Sequence, residues 1–303
     1  MRGVMSGVMR EAAGMWGCLA PYGSIGARCH IMADGSPHVH EDHAASAEPH
    51  PGHRVIAVCG KGGVGKTAFS ALLAHALMHR ADTGRLLVID ADPALGLALA
   101  MGVEPARTIG SVRDALLEAA TSGSAQAERD IAEKLDYLVF ESLVETDHFA
   151  FLAMGRSREL GCYCSVNDLL RDSIEMLTGE FDTIVIDGEA GLEQINRQVA
   201  ASIDDLIIVS DGSARSQRTV ETIWDMARVN NVVAAGSIDL VLNRQAPGVP
   251  AAPLRDDVTP RFLGSIPDDG SLSVLDREGE TLLHLHHDDP AFHAVRDICA
   301  RLY

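Results

Sequence analysis

One eight-residue segment constrains the fold of this chain more than any other. Residues 60–67 read Gly-Lys-Gly-Gly-Val-Gly-Lys-Thr, which is a glycine, four residues and then Gly-Lys-Thr. A short apolar run at 55–59 precedes it and helical spacing over 68–79 follows it, so a strand and a helix flank a loop. Glycines let such a loop curl until its amides and the helix N-terminus point at one phosphate chain. The segment therefore predicts a phosphate-binding loop.

The side chains of this loop indicate which phosphates it binds. Lys66 supplies a positive charge for the β and γ phosphates of a nucleotide, and the Thr67 hydroxyl is a ligand for Mg²⁺. The chain has only three lysines, and two of them, Lys61 and Lys66, lie in the loop. The residues predicted to bind nucleotide here are Gly60, Lys61, Gly62, Gly63, Val64, Gly65, Lys66, Thr67 and Ala68.

The rest of the chain, residues 54–303, alternates apolar runs with helical patterns. The predicted strands cover 55–59, 86–89, 149–154, 183–186, 206–209, 238–242 and 262–266, and helical spacing is seen at 68–79, 109–120, 128–144 and 165–177. Continuous apolar strands separated by helices indicate a sheet that is buried on both faces. We therefore predict an α/β fold with a doubly wound, mostly parallel sheet and helices on both faces, carrying a phosphate-loop nucleotide site.

Carboxylates follow two of the predicted strands. Asp90 and Asp92 end the second strand, and Asp187 ends the strand at 183–186 and begins Asp-Gly-Glu-Ala-Gly. We predict that Asp90 joins Thr67 at the Mg²⁺ ion, that Asp92 orients the attacking water, and that Asp187 takes part in catalysis with Lys61 and Lys66. An aspartate after a strand is also a common helix cap, so each carboxylate alone has that second interpretation.

Three residues near the ends of later strands are candidates for binding the base. Asn243 and Arg244 follow the predicted strand at 238–242, where an amide can hydrogen-bond adenine and a guanidinium can stack on it. Asp268 follows Ile266-Pro267 and completes the candidate set. Guanine-specific enzymes carry Asn-Lys-x-Asp at such a position, so Asn243-Arg244 favours ATP as the cofactor, with Mg²⁺.

Two of the six cysteines form a close pair, Cys162 and Cys164. Positions i and i+2 of an extended segment face the same way, so two thiolates can share one soft metal ion and leave a tetrahedral site half filled. A two-fold dimer would supply the other two ligands. We predict Ni²⁺ or Zn²⁺ at this pair. Burial of the pair, or a redox switch, is the alternative interpretation.

Lys61 directly after the first glycine makes the loop a deviant Walker A motif. This form resembles the ATPase family that includes nitrogenase iron protein, septum-site and chromosome-partition ATPases, and metal-centre maturation factors. The resemblance implies ATP-dependent homodimerisation, in which the extra lysine reaches the partner's nucleotide. The alternative is that Lys61 only adds local charge.

Within that family the chain is most similar to the accessory ATPases that mature nickel-containing carbon monoxide dehydrogenase. The resembling stretches over residues 54–303 are Asp90-Ala91-Asp92-Pro93, Thr108-Ile109-Gly110, Met154-Gly155-Arg156, Gly161-Cys162-Tyr163-Cys164 with Asn167 and Leu169-Leu170-Arg171, and residues 187–193. The resemblance implies a metal held between two subunits and ATP-driven insertion of nickel into apo carbon monoxide dehydrogenase or a related nickel enzyme. Ala68, residues 94–97 and Gln194 depart from the family pattern.

Two other classes of function stay open at this point. One is a regulatory ATP switch of the septum-site or partition type, with structural or redox-active cysteines. The other is an activator of a different metallocofactor protein or of a corrinoid protein.

Composition excludes several partners. The chain has 25 Lys plus Arg against 43 Asp plus Glu and a net charge of −18, which argues against non-specific binding of nucleic acid or anionic lipid. No apolar run is long enough to span a membrane, and the sparse cysteines suit a reducing compartment, so we expect a cytoplasmic protein.

The first 53 residues differ in composition from the remainder. They contain six of the 13 histidines and no hydrophobic periodicity, so we predict a disordered, His-rich extension. It is either a flexible metal store or an extension without function that reflects the choice of start site.

Overall fold

The computed structural model describes residues 53–121, 134–156, 172–188, 202–228 and 234–303. The strands in these ranges are β1 (Arg54–Gly60), β2 (Leu86–Asp90), β3 (Leu143–Glu145), β4 (Ala150–Ala153), β5 (Thr183–Asp187), β6 (Ser202–Ser210), β7 (Ala234–Gln245) and β8 (Arg261–Pro267). The helices are α1 (Lys66–Met78), α2 (Gly96–Ala100), α3 (Ile109–Thr121), α4 (Leu135–Phe140), α5 (Ala214–Arg228), α6 (Gly270–Glu278) and α7 (Pro290–Leu302), with a short 3₁₀ helix at Leu282–His284. Residues 172–178 are also helical.

The strands form one eight-stranded sheet in the order β3-β4-β2-β5-β1-β6-β7-β8. Every pairing is parallel except that of β3 with β4. β1, the strand that leads into the predicted phosphate loop, lies in the centre between β5 and β6. The predicted doubly wound, mostly parallel sheet is confirmed, and its central strand delivers the loop to the carboxyl edge, where such sheets bind ligands.

Burial on both faces explains why the strands are apolar throughout. In β1, Ile56 and Val58 belong to one core cluster, whereas Val55, Ala57 and Cys59 belong to the other. Helices α1 and α7 cover the first face, and α3 and α5 cover the second. Alternate residues of one strand thus enter two separate cores, so the strand has no polar face.

The prediction of helix over 128–144 is wrong at its end. Helix α4 ends at Phe140, and β3 then pairs antiparallel with β4, with Leu143 opposite Leu152. A three-residue strand is too short to show an alternating pattern, and its pairing depends on the neighbouring β4 rather than on its own sequence. The sheet therefore has eight strands instead of the seven predicted.

Several sequence-based predictions fall outside the described residues. These are the extension at 1–53 apart from His53, the cysteine pair at 162 and 164, and residues 189–194 after Asp187. Among the described residues, no helix combines the length and apolar character needed to cross a membrane.

Candidate functional site

The phosphate loop closes tightly against neighbouring strands at two glycines. Gly60 has φ 143°, and a Cβ there would lie 2.2 Å from the carbonyl oxygen of Val209. Gly65 has φ 89°, and its Cβ would lie 2.4 Å from Nδ2 of Asn243. Both the left-handed backbone and the close approach exclude a side chain. Glycine is therefore required at both positions, because the loop packs against β6 at Gly60 and against β7 at Gly65.

Helix α1 begins at this loop without a side-chain cap. Gly65 occupies the N-cap position, and no side chain accepts a hydrogen bond from the amides of the first turn. The first helical hydrogen bond runs from the amide of Phe69 to the Gly65 carbonyl at 3.0 Å. Uncapped amides and the helix dipole favour an anion at this end. The local structure is thus that of an anion-binding site.

Asp187 is the carboxylate that contacts the loop threonine. One of its oxygens accepts from the Thr67 hydroxyl at 2.9 Å, and the other accepts from the Ser70 hydroxyl at 2.8 Å. Burial raises the pKa of Asp187 to about 6, although these two hydrogen bonds and the charge of Lys66 act in the opposite direction. Asp187 is therefore a buried acid held by two hydroxyl groups and close to a lysine.

Asp90 is the register partner of Asp187 on the adjacent strand. One oxygen of Asp90 accepts from the amide of Asp92 at 3.1 Å, and the other accepts from the amides of Leu97 and Ala98 at 3.0 and 3.2 Å. Burial raises the pKa of Asp90 to about 6, and the charge of the neighbouring Asp187 acts in the same direction. The three amide hydrogen bonds act in the opposite direction. Asp90 thus fixes the start of α2.

The three predicted carboxylates make different contacts in the structure. Thr67 contacts Asp187 rather than Asp90, which the sequence had placed with Thr67 at the metal. Asp92 is half-buried, accepts from the amide of Ala94 at 2.8 Å, and contributes to the raised pKa of Asp187. All three carboxylates lie at the carboxyl edge of the sheet, as predicted. The direct contact to the loop, however, belongs to Asp187.

A pocket of about 360 Å³ opens beside the loop. This volume lies within the range of small-molecule sites. The residues that line it include Gly65, Thr67 and Ala68 from the loop and α1, and Asn243, Arg244 and Asp268 from the ends of β7 and β8. The structure thus brings the three residues predicted to bind the base together with the phosphate loop around one cavity.

The Asn243 side chain connects β7 to the loop. Its Nδ2 donates to the carbonyl of Val64 at 2.8 Å, and its Oδ1 accepts from the amide of Arg244 at 2.9 Å. Arg244 has φ 55° and donates to the Gly63 carbonyl at 3.2 Å. Both residues therefore support the loop backbone as well as line the pocket.

Two side chains near the loop, Ser70 and Asp211, are not among the residues predicted from the sequence. Ser70 lies one helical turn after Lys66 and binds Asp187, a contact that i, i+3 spacing from Thr67 could have suggested. Asp211 follows β6 and lies near Lys61. Burial would raise the pKa of Asp211, but hydrogen bonds from Ser213 and the charge of Lys61 lower it. Lys61 therefore has an acidic neighbour within its own chain.

Two cysteines lie among the described residues, and both are buried in the core. Burial raises the pKa of Cys59 to about 12 and that of Cys299 to about 11. Thiols of this kind are poor metal ligands because the thiolate is the binding form. The predicted metal pair, Cys162 and Cys164, lies outside the described residues.

Comparison with known proteins finds the same class of domain. The family described as an AAA domain matches residues 53–236. An uncharacterized ATP-binding protein of Methanocaldococcus jannaschii is 36% identical over 82% of this chain and 98% of its own length. The carbon monoxide dehydrogenase accessory protein CooC of Rhodospirillum rubrum is 31% identical over 74% of this chain and 87% of its own.

A solved structure agrees with the fold. The septum site-determining protein MinD of Pyrococcus horikoshii, complexed with Mg-ADP, superimposes with a TM-score of 0.57 at 20% identity. The superposition covers 82% of this chain and 96% of the other. At this identity the similarity is one of fold.

Proposed function

This chain belongs to the AAA domain family and is a P-loop ATPase, and on that premise we propose an ATP-dependent, dimerising maturation factor that carries nickel or zinc on Cys162 and Cys164. It delivers nickel to carbon monoxide dehydrogenase or a related nickel enzyme. The observation that carries the proposal is the 31% identity with an accessory protein of that enzyme over 74% of this chain, together with the Gly-Cys-Tyr-Cys segment at 161–164.

The residues of the loop fit ATP with Mg²⁺. A hydroxyl and a carboxylate, Thr67 and Asp187, form the hard oxygen donor set that Mg²⁺ prefers, and they lie beside uncapped helix amides. These two residues would hold the ion, which when bound neutralises charge on the phosphates. Lys66 binds the β and γ phosphates, and Asp92 orients the water that attacks the γ phosphate.

Several residues position the reacting groups without touching them. Ser70 holds the second oxygen of Asp187, and Asn243 fixes the Val64 carbonyl, so the loop keeps its curl. Asp90 anchors α2, whose first residue, Gly96, would bring a Cβ within 3.6 Å of the Thr67 methyl. The start of α2 therefore lies beside Thr67, and we propose that this helix responds to nucleotide state.

Dimerisation rests on Lys61. In the single chain Lys61 lies near enough to Asp211 for its charge to lower the pKa of that carboxyl, and we propose that the ammonium group turns to the partner's nucleotide in the dimer. The matched control is Lys134, the one lysine outside the loop. Lys61→Ala should abolish ATP-dependent dimerisation in analytical ultracentrifugation, whereas Lys134→Ala should dimerise normally. Equal dimerisation of both variants would exclude a role for Lys61 across the interface.

Metal content tests the cargo site. Purified full-length protein with Cys162→Ser and Cys164→Ser should lose bound Ni²⁺ or Zn²⁺ relative to a control with Cys18→Ser and Cys29→Ser. Both proteins retain the same His-rich extension, so any difference belongs to the cysteine pair. Stoichiometry measured with and without ATP should approach one metal per dimer in the ATP state. Equal metal content in the two variants would contradict the proposal.

A regulatory ATP switch is the second candidate function. It is favoured by the likeness in fold to the septum site-determining protein MinD, with a TM-score of 0.57. A switch of this kind needs ATP-dependent dimerisation but no metal. Retention of dimerisation and hydrolysis by the Cys162→Ser, Cys164→Ser protein, with no metal in the parent after gentle purification, would support this candidate against the maturation factor.

A further inference from the structure

Three histidines form a cluster away from the nucleotide site. His75 and His79 lie on α1 and His287 lies in the turn before α7, and one ring nitrogen of each lies within 4.8 Å of one ring nitrogen of the others. His75 and His79 are four residues apart, so they face the same side of the helix. A rise of about 1.5 Å per residue places His75 ~14 Å along α1 from Lys66. The cluster is thus separate from the phosphate loop.

The ring of His75 is buried and incompletely satisfied. The residue is 7% exposed, and among the described residues its Nδ1 is the one buried side-chain nitrogen or oxygen without a hydrogen-bond partner. A buried polar atom left in this state destabilises the fold unless a ligand satisfies it. The ring packs against Phe292 at a centroid distance of 4.6 Å. That apolar contact offers no hydrogen bond, so Nδ1 stays without a partner among the described residues.

The other two histidines are positioned by backbone structure and by ring contacts, since the centroid of the His287 ring lies 5.2 Å from that of His79 and 5.0 Å from that of Phe292. His79 is the C-cap residue of α1, and its amide donates to the Ala76 carbonyl at 3.3 Å. His287 lies in a turn that is closed by the amide of His286 donating to Asp289 at 2.9 Å and by the amide of Asp289 donating back at 3.0 Å. Both rings are exposed.

The electrostatics of the cluster suit a cation. His79 lies where the carboxyl-terminal end of the α1 dipole favours positive charge. Burial, together with His79 and His287, lowers the pKa of His75 to about 4. His148 lies near enough to affect His79 in the same way.

We propose that His75, His79 and His287 form a metal-binding site for a zinc-class divalent ion, independent of the cysteine pair. Three imidazoles with a fourth position open is a zinc arrangement, whereas Ni²⁺ favours square-planar or tetragonal sites. Nitrogens bound to one tetrahedral Zn²⁺ lie about 3.3 Å apart, given Zn–N bonds of about 2.0–2.1 Å. The present separations close to that value by rotation of the two exposed rings.

The test compares two double variants of the full chain, each also carrying Cys162→Ser and Cys164→Ser. The cluster variant is His79→Gln with His287→Gln, and the control is His284→Gln with His293→Gln, two exposed histidines outside the cluster. All four histidines are exposed, so both proteins should fold. Each retains the same six histidines of the extension, so their contribution to metal binding cancels.

The expected result is that the control binds one more Zn²⁺ per chain than the cluster variant in equilibrium dialysis. Co²⁺ should give the visible bands of a tetrahedral site in the control only, and Zn²⁺ should raise the Tm of the control but not that of the cluster variant. Equal Zn²⁺ stoichiometry and an equal rise in Tm would overturn the site. Preferential loading of the control with Ni²⁺, from a solution holding both ions equally, would overturn its assignment to zinc.

Discussion

Two groups of buried aspartates lie in the same sheet, and their partners differ. At the carboxyl edge, Asp90 and Asp187 accept only from amides and hydroxyls. In the amino-terminal halves of strands β6 and β7, Asp205 pairs with Arg54 at 2.6 Å and Asp239 pairs with Arg261 at 2.6 Å. All four aspartates are nearly inaccessible to solvent.

The two groups differ in whether an ion pair balances the charge of the buried carboxylate. Within the described part of the chain, no arginine or lysine lies within ion-pair distance of Asp90 or Asp187, and burial raises the pKa of both to about 6. The arginine-paired aspartates have their charge balanced by an ion pair, whereas among the described residues Asp90 and Asp187 form no ion pair, although Lys66 lies near Asp187. The proposed Mg²⁺ ligand Asp187 belongs to the group without an ion pair, and Asp90 lies beside it on the adjacent strand.

The largest expected effect comes from Asp187→Asn. The amide keeps the shape of the side chain but loses the charge that Mg²⁺ requires, so we expect ATP hydrolysis to fall about 100-fold, equivalent to ~2.7 kcal/mol of activation free energy. The free energy of unfolding should stay the same or rise, because a buried charge without an ion-pair partner is removed. Steady-state hydrolysis and urea unfolding measure the two quantities. A large loss of stability would place Asp187 with the structural aspartates.

The converse prediction concerns Asp239→Ala. This fully buried carboxylate accepts from Arg261 and from the Ser237 hydroxyl at 2.7 Å, so its removal breaks these hydrogen bonds and leaves both donors without this partner. We expect the free energy of unfolding to fall by about 2 kcal/mol. The hydrolysis rate of the folded protein should match that of the parent. A specific loss of hydrolysis without loss of stability would break the distinction between the two groups.

Asn243→Ala should have a smaller effect, confined to nucleotide binding. The variant loses the hydrogen bonds to Val64 and Arg244 that hold the loop against β7. We expect the dissociation constant for ATP to rise about tenfold. Isothermal titration with ATP measures it. An unchanged constant would show that glycine packing alone maintains the curl of the loop.

The smallest effect is expected for Asp225→Ala, which breaks an ion pair with Arg255 at the surface. Both side chains are substantially exposed, and such pairs contribute little because water competes for each charge. Thermal unfolding and ATP titration should both match the parent within error. A clear loss of stability would show that burial does not decide how much an ion pair contributes to the stability of this protein.

Much of the fold could be predicted from sequence because its strands are buried on both faces. Continuous apolar runs such as 183–186 and 238–242 located β5 and β7, and the glycine spacing located the loop. Strand β3 could not be predicted, because three residues carry no periodicity and their pairing depends on β4. The predicted loop and base residues line one pocket, but the contacts among the predicted residues could not be read from the sequence. Asp187 rather than Asp90 contacts Thr67, because the side-chain directions at the ends of β2 and β5 determine which carboxylate reaches α1.

The sequence by itself determined the chemical class of this protein. Its glycine spacing and two loop lysines require a phosphate site at the end of a central strand, since only that backbone places several amides and an ammonium group around one polyanion. Tertiary structure alone decided which groups meet across the chain. The pocket shared by the loop, Asn243 and Asp268 and the cluster of His75, His79 and His287 both join residues about 200 positions apart. Local periodicity carries no information about such contacts, because packing of helices on the sheet brings them together.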